Sequence, residues 1–201
     1  MLTIITVLNF DSILTTFLQK FVSHSLFFDY FFSFFSLKGS SILIWVLVII
    51  GVTIIEERKN PGISKRDKQF IFLFSISFLI TFLFADIVLK NIFVRPRPTF
   101  AEASVGGPFL TIYNHFQLFS TFSCPKDFSF PSAHAATAFA AATALTFFDK
   151  KRRGFYYLIA ILISYSRIYL GCHYFFDVLF GGLLGLLISK ILLKLFNSLI
   201  R

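Results

Sequence analysis

Charged residues are scarce in this chain, which has only 14% Asp, Glu, Lys and Arg among its 201 residues. An ordinary soluble domain carries about 25% charged residues, so the composition excludes that class of protein. Apolar residues take their place, since 56% of the sequence is hydrophobic and 31 residues are phenylalanine. The sequence therefore predicts a protein that lies in a lipid bilayer.

The sequence also lacks the marks of a removable leader and of a modular protein. No basic residue precedes the first apolar stretch, whereas a secretory signal peptide begins with a positively charged region. No internal repeat or low-complexity linker divides the chain. We therefore expect residues 1–201 to form a single integral membrane domain.

Long apolar runs recur along the chain. A helix needs about 17 to 20 apolar residues to cross the hydrocarbon layer, and a soluble core could not hide several such runs. Four runs stand out, and a fifth is apolar as far as Arg167. They comprise residues 40–55, 69–89, 132–148, 154–170 and 174–196. This pattern predicts an all-α, polytopic membrane helix bundle with five or six transmembrane helices.

Residues 1–37 leave two interpretations open. The segment DSILTTFLQKFVSH has an apolar and a polar face at helical spacing, which is typical of a helix lying in the membrane interface. The apolar face comprises Leu14, Phe17, Leu18, Phe21 and Val22, and the polar face comprises Thr15, Thr16, Gln19, Lys20 and Ser23. The following LFFDYFFSFFSL is either a second interfacial helix or part of a sixth span. We favour interfacial helices.

The net charge of +9 is concentrated in two short loops, residues 56–68 and 149–153, rather than spread over a surface for nucleic acid. Short loops rich in Lys and Arg stay in the cytoplasm. Alternation of the helices then places residues 90–131 and the turn near residue 171 on the opposite, extracytoplasmic side. The unusual polar residues of the chain lie in those regions, so we expect them to share one face.

The first polar motif is KNIFVRPRP, in which Lys90, Arg95 and Arg97 crowd the end of an apolar helix. A charge at the bilayer centre costs about 2.5 to 3.5 kcal/mol, so three cations here indicate an anionic ligand. The alternative is that they extend to lipid headgroups. We expect Pro96 and Pro98 to stop the helix.

The second motif, FPSAHAATAF, places Pro131, Ser132 and His134 in the first turn of a predicted helix. The free N–H groups and positive dipole of a helix N-terminus favour phosphate, and a serine hydroxyl adds a donor. The alternative is that Ser132 only caps the helix and that His134 is a core residue.

The third motif, SRIYLGCHYFFD, ends one apolar helix with Ser166 and Arg167 and starts the next with His173 and Asp177. Four residues are one helical turn, so the Asp177 carboxylate can fix the imidazole tautomer and leave the other nitrogen as a nucleophile. The alternative, that Asp177 merely pairs with Arg167, does not explain the histidine.

Together the three motifs resemble the signature of the type 2 phosphatidic acid phosphatase superfamily: Lys-x6-Arg-Pro, Pro-Ser-Gly-His and Ser-Arg-x5-His-x3-Asp. The matching residues are Lys90, Arg97, Pro98, Pro131, Ser132, His134, Ser166, Arg167, His173 and Asp177. Ala133 replaces the usual glycine, which is tolerated if its backbone is helical. The resemblance covers about the last 160 residues of the sequence.

The resemblance implies a phosphatase that needs no metal or cofactor and acts through a phosphohistidine. His173 is then the nucleophile, Asp177 orients it, and His134 protonates the leaving oxygen and later activates water. The expected phosphoryl ligands are Lys90, Arg97, Arg167, Ser132 and the N–H of Ala133. Arg95 competes with Arg97 for this role, and the family register favours Arg97.

The substrate expected from this geometry is a lipid phosphate. Alanines in 135–144 and glycines in GGLLG at 181–185 favour close helix packing, with the polar ends at headgroup level. The resemblance implies an enzyme of the bacterial inner membrane that acts on undecaprenyl diphosphate or lipid A 1-phosphate. Phosphatidylglycerophosphate and phosphatidate are alternatives, as are a lipid transporter or an inactive lipid-binding relative. A vanadium-dependent haloperoxidase shares the pocket but is soluble.

The long segment 99–131 is expected to be an extracytoplasmic lid that recognises the headgroup, with Glu102, His115 and Lys126 as candidate contacts. Cys124 in this segment and Cys172 beside the nucleophile both lie on the predicted outer side. A disulfide between them is one possibility in an oxidising compartment.

Overall fold

The computed structural model describes residues 2–37, 39–57, 65–98 and 124–200. The helices are α1 Leu2–Phe21, α2 Leu26–Ser36, α3 Ser40–Glu57, α4 Lys65–Phe82, α5 Ala133–Phe148, α6 Arg153–Tyr169 and α7 Phe175–Ile200. After α4 the chain continues through a π-helical segment, Leu83–Leu89, into a last α-helical turn, Lys90–Phe93. These ranges contain no β-strand, so the predicted all-α class is confirmed.

Helix α5 lies at the centre of the bundle and contacts α3, α4, α6 and α7. Its alanines at 135, 136, 138, 140, 141, 142 and 144 are fully buried. Larger side chains from the neighbouring helices, including Trp45, Tyr156 and Ile163, pack around this small-residue surface. Because alanine adds little bulk, the surrounding helices can approach the α5 backbone closely.

The contact between α5 and α7 depends on glycine. A Cβ atom on Gly185 would lie 2.0 Å from the carbonyl oxygen of Ala136, and one on Gly181 would lie 2.5 Å from that of Ser132. Both distances are far below van der Waals contact, so only glycine fits at these positions. The Gly-x-x-x-Gly pattern therefore brings the second motif directly against α7, the helix that carries Asp177 of the third motif.

The outer surface of the bundle is apolar and suits a lipid environment. Ile71 and Phe72 on α4 and Leu187 and Ile191 on α7 are exposed. Two described segments, Gln69–Phe93 and Phe175–Ser198, are long and apolar enough to cross a bilayer, and α2 with α3 would supply a third span if the pair acts as one. The protein is therefore a helical membrane protein, while five or six spans remain a prediction.

Helix α1 has a polar side that packs against protein. Asp11, Thr15 and Gln19 are fully buried, whereas Phe17 and Phe21 are exposed. The two faces expected at helical spacing are thus present at these positions. That residues 1–37 form interfacial helices rather than a membrane span stays a prediction.

The helix that carries Lys90 ends at Phe93, before either of the two prolines that were expected to stop it. Val94 ends it instead, since it adopts a left-handed conformation with φ of 48° and its N–H donates to the carbonyl of Lys90. This conformation is uncommon for a β-branched residue. It turns the chain away from the helix axis immediately before Arg95.

Substitution of Gly185 by alanine is expected to destabilise the bundle, because the added methyl group would overlap the Ala136 carbonyl and push α5 and α7 apart. Overpacking of this kind costs about 1 to 3 kcal/mol, so the Tm in detergent should fall by several degrees. Gly51→Ala in α3 is the matched control, because a Cβ there meets no atom within 4 Å. Equal Tm values for the two variants would contradict the close α5–α7 contact.

Candidate active site

The three motifs meet at one end of the bundle through backbone hydrogen bonds. The Ser129 N–H, in the segment before α5, donates to the carbonyl of Arg95 at 2.8 Å, which joins the first and second motif regions. The Ser132 N–H donates to the carbonyl of Asp177 at 2.9 Å, which joins the second motif to the third. Residues that are far apart along the chain therefore line a common site.

Lys90 and Arg97 are buried cations, with 5% and 1% of their surfaces exposed. The Lys90 ammonium donates to the carboxylates of Asp86 and Asp127. The Arg97 guanidinium donates to both carboxylate and carbonyl of Asp127, at 2.5 and 3.0 Å, and to the carbonyl of Cys172 at 2.8 Å. One carboxylate, that of Asp127, therefore joins the two cations.

Asp127 was not identified from the sequence, where it is a single acid in a loop and belongs to no recognisable pattern. Partial burial raises the pKa of its carboxyl, but the Lys90 hydrogen bond and the charges of Arg97 and Lys90 outweigh that effect. The pKa of Asp127 therefore lies below its ordinary value, and the group is ionised at neutral pH.

The hydrogen bonds of His173 define its tautomer. Its Nε2 lies 2.9 Å from an Arg97 nitrogen, and because a guanidinium only donates, Nε2 must be the acceptor. The proton of the neutral ring then sits on Nδ1, which lies 3.5 Å from an Asp177 oxygen, beyond hydrogen-bonding distance. Burial and the positive charge of Arg97 hold the pKa of His173 below its ordinary value, so the ring is neutral.

Asp177 is fully buried and both of its oxygens are occupied. Oδ2 accepts the Tyr174 N–H at 2.9 Å, and Oδ1 accepts from Arg95 at 2.7 Å. Arg95 also donates to Asp11 at 2.7 Å. Of the two arginines weighed for phosphate binding, Arg97 contacts both His173 and the Asp127 carboxylate, whereas Arg95 pairs with the buried carboxylates of Asp11 and Asp177.

The second motif forms the N-terminus of α5. Ser132 is the N-cap, and its hydroxyl accepts from the Ala135 N–H at a weak 3.5 Å. Ala133 is the first helical residue and has no positive φ, so the condition for replacing glycine by alanine is met. Pro131 lies just before the N-cap, not in the first turn as expected.

His134 lies in the first turn of α5 and interacts electrostatically with His173. The positive charges of Arg167, Lys90 and Arg97 also act on the His134 ring. The same three cations therefore act on both of the histidines that are predicted to work together.

Arg167 is buried near the end of α6, and its side chain is hydrogen-bonded to α2. Its guanidinium donates to the Ser36 carbonyl at 2.9 Å and to the Ser36 hydroxyl. Ser36 therefore links the N-terminal helices to the third motif, a contact that spans 131 residues of sequence.

A disulfide joins Cys124 to Cys172, which answers a question that the sequence left open. It ties the segment that carries Asp127 to the turn that carries His173. Of the proposed lid contacts, Glu102 and His115 lie outside the described residues, and Lys126 is exposed. The lid itself remains a prediction.

A family model described as the PAP2 superfamily matches residues 70–201. The chain belongs to the PAP2 superfamily. The matched region contains all three motifs together with α5, α6, α7 and most of α4. The family resemblance inferred from the motifs is therefore confirmed.

Two relatives of this PAP2 chain carry names of lipid phosphatases. An undecaprenyl-diphosphatase from Sulfolobus acidocaldarius is 42% identical over 66 residues, and the match spans only 32% of each chain. A lipid A 4′-phosphatase from Bacteroides thetaiotaomicron is 31% identical over 169 residues, which cover 81% of this chain and 67% of that one.

Two crystal structures share the PAP2 fold seen here. LpxE from Aquifex aeolicus has a TM-score of 0.57 and 25% identity, with 90% of this chain and 93% of that chain covered. The first transmembrane PAP2-type phosphatidylglycerolphosphate phosphatase from Bacillus subtilis has a TM-score of 0.61 and 24% identity, with 98% and 88% covered. The second likeness concerns the fold alone.

The disulfide should be detectable in the purified protein, because neither cysteine thiol is free while the bond is intact. We expect maleimide to label both cysteines only after denaturation with reductant. Since the bridge closes a separation of 48 residues, Cys124→Ser should lower stability by about 4 kcal/mol in the chain-entropy description. Two thiols that react without reductant would contradict this prediction.

Proposed function

We propose that the protein is a metal-independent lipid phosphatase that acts through a phosphohistidine on His173. The observation that carries this proposal is the Nε2 contact with Arg97 at 2.9 Å. It aims an unprotonated ring nitrogen at a buried guanidinium, which is a suitable partner for phosphoryl oxygens. A neutral imidazole with its lone pair at Nε2 can attack phosphorus directly.

In the first step the Nε2 lone pair forms a bond to phosphorus while the bond from phosphorus to the lipid oxygen breaks. His134 gives a proton to the departing oxygen. The ring of His173 becomes positively charged, so its Nδ1–H is drawn toward Asp177 and the 3.5 Å separation shortens. In the second step His134 takes a proton from water, and the water oxygen forms a bond to phosphorus while the bond from phosphorus to Nε2 breaks. Inorganic phosphate leaves, and the His173 imidazole is neutral again.

The proposed phosphoryl ligands act by position and charge. Phosphoryl transfer develops little new covalent chemistry for the protein to assist, so catalysis depends on placing donors around the phosphoryl oxygens. The ligands are Lys90, Arg97, Arg167, Ser132 and the N–H of Ala133. Asp127 holds two of these cations in the structure, and a bound phosphoryl group would take over its contacts with them.

The proposed substrates are envelope lipids of a bacterial inner membrane, hydrolysed on its extracytoplasmic side. The names of the two sequence relatives support undecaprenyl diphosphate and lipid A phosphates as the first candidates. A disulfide beside the site supports an oxidising compartment. A panel of these two lipids with phosphatidylglycerophosphate and phosphatidate tests the assignment through the release of inorganic phosphate.

The variant His173→Ala should release phosphate at least about a thousandfold more slowly than the wild type, because it lacks the nucleophile. Rapid-quench labelling should trap an acid-labile, base-stable phosphoryl group on the wild type only. His24→Ala, whose ring pairs with Asp29, is the matched control and should keep both properties. Turnover by His173→Ala at the wild-type rate would refute the mechanism, and lipid binding without turnover by the wild type would indicate an inactive relative.

The variant Asp127→Asn should bind inorganic phosphate about tenfold more tightly than the wild type. The reason is that it lacks the negative charge that competes with phosphate for Lys90 and Arg97. The inhibition constant of inorganic phosphate at neutral pH measures this change. Asp149→Asn is the matched control, because that carboxylate pairs with Arg152 and Tyr156. Weaker phosphate binding in Asp127→Asn would show that the carboxylate is needed to position the cations.

A further inference from the structure

Helix α1 lies outside the region matched by the family model, yet its buried polar side contacts the start of α7. Asp11 Oδ1 accepts the Phe176 N–H and Thr15 Oγ1 accepts the Phe175 N–H, both at 2.9 Å. Gln19 donates to the Ile168 carbonyl at 3.0 Å. The first helix therefore braces the two chain segments on either side of His173.

Arg95 connects this helix to the proposed catalytic pair. One nitrogen of its guanidinium donates to Asp11 and the other donates to Asp177, each at 2.7 Å. The guanidinium also lies 4.0 Å over the centre of the Tyr174 ring. Both carboxylates are fully buried and Arg95 is 18% exposed. Each buried carboxylate therefore needs the nearby guanidinium charge to offset the free-energy cost of leaving water.

The bonds to Asp177 fix the orientation of its carboxylate. Arg95 occupies Oδ1, and the Tyr174 N–H holds Oδ2 on the side that faces His173. If Arg95 lost its second carboxylate, its full charge would act on Asp177 and reduce the negative potential available to the imidazole. Asp11 makes no contact with His173 among the described residues and would act only through Arg95.

We propose that Asp11 is a positioning residue for phosphoryl transfer, which through Arg95 holds the Asp177 carboxylate in place behind His173. This inference rests on the proposed function and assigns a part in it to the N-terminal helix. The role of Arg95 is then to align a carboxylate, and of the three cations in the first motif only Lys90 and Arg97 are left to bind the phosphoryl group.

The variant Asp11→Asn tests the proposal in the full-length protein, with the lipid phosphate that the wild type hydrolyses fastest. Asparagine keeps an oxygen for the Phe176 N–H and removes the charge that faces Arg95. We expect kcat to fall about 10- to 100-fold, as is common when a supporting group is lost, with KM and the inhibition constant of phosphate within about threefold. Unchanged kcat, or a rise in KM that accounts for the whole loss, would overturn the proposal.

A double-mutant cycle tests whether Asp11 acts through Arg95. Arg95→Lys keeps the positive charge but cannot reach two carboxylates with a rigid fork, so it should lower kcat in the same way. Asp11→Asn added to Arg95→Lys should cost less than about threefold more. Fully additive losses, or a loss in Arg95→Lys confined to KM, would contradict the proposal. Arg95→Lys also provides the test if Asp11→Asn fails to fold.

Thr15→Val is the structural control on the same helix, because it removes the acceptor of the Phe175 N–H and the hydroxyl's own hydrogen bond to the Asp11 carbonyl but leaves the Asp11 carboxylate in place. It should lower the Tm without the loss in kcat. An equal kcat loss in Thr15→Val would show that α1 acts by general stability and would overturn the role of Asp11. Wild-type kcat in Asp11→Asn beside an inactive His173→Ala would reject this inference alone, whereas an active His173→Ala would reject the proposed function itself.

Discussion

Buried positive charge at one end of the helix bundle is the constraint on which the rest of the site depends. Lys90, Arg97 and Arg167 are almost completely withdrawn from solvent, and a buried cation is costly unless acceptors surround it. Asp127 satisfies two of these cations in the structure. A phosphoryl group is negatively charged, like the Asp127 carboxylate, and it has more acceptor oxygens. The arrangement therefore favours an anion at this point, and this requirement links the fold to the proposed chemistry.

Close packing turns that electrostatic requirement into a fixed geometry. The glycines of α7 allow its backbone to touch that of α5, and the Ser132 N–H then reaches the Asp177 carbonyl. The disulfide holds the Asp127 segment beside the turn of His173. Burial keeps the imidazole neutral, and the Arg97 contact places its proton on Nδ1. These contacts together place a neutral His173 imidazole, the proposed nucleophile, beside the buried guanidinium of Arg97.

The sequence was most informative at ionisable residues that lie within an otherwise apolar chain. Ionisable residues in an apolar chain have few structural uses, so Lys90, Arg97 and the two histidines stood out, and their spacing matched one family. Helix ends were predicted less well. The helix before Arg95 ends at Val94 rather than at a proline, and Pro131 precedes the cap of α5, because such boundaries depend on local hydrogen bonds that composition does not reveal.

The sequence by itself determined the lipid environment, the helical class, the family and the set of candidate catalytic residues. These follow from composition and from the short, ordered spacing of the motif residues. Only the tertiary structure decided which charges meet. Arg95 pairs with Asp11 and Asp177, which lie 84 and 82 residues away, and Asp127 reaches Lys90 across 37 residues. Such pairings depend on how helices pack in three dimensions, and no periodicity along the chain records that packing.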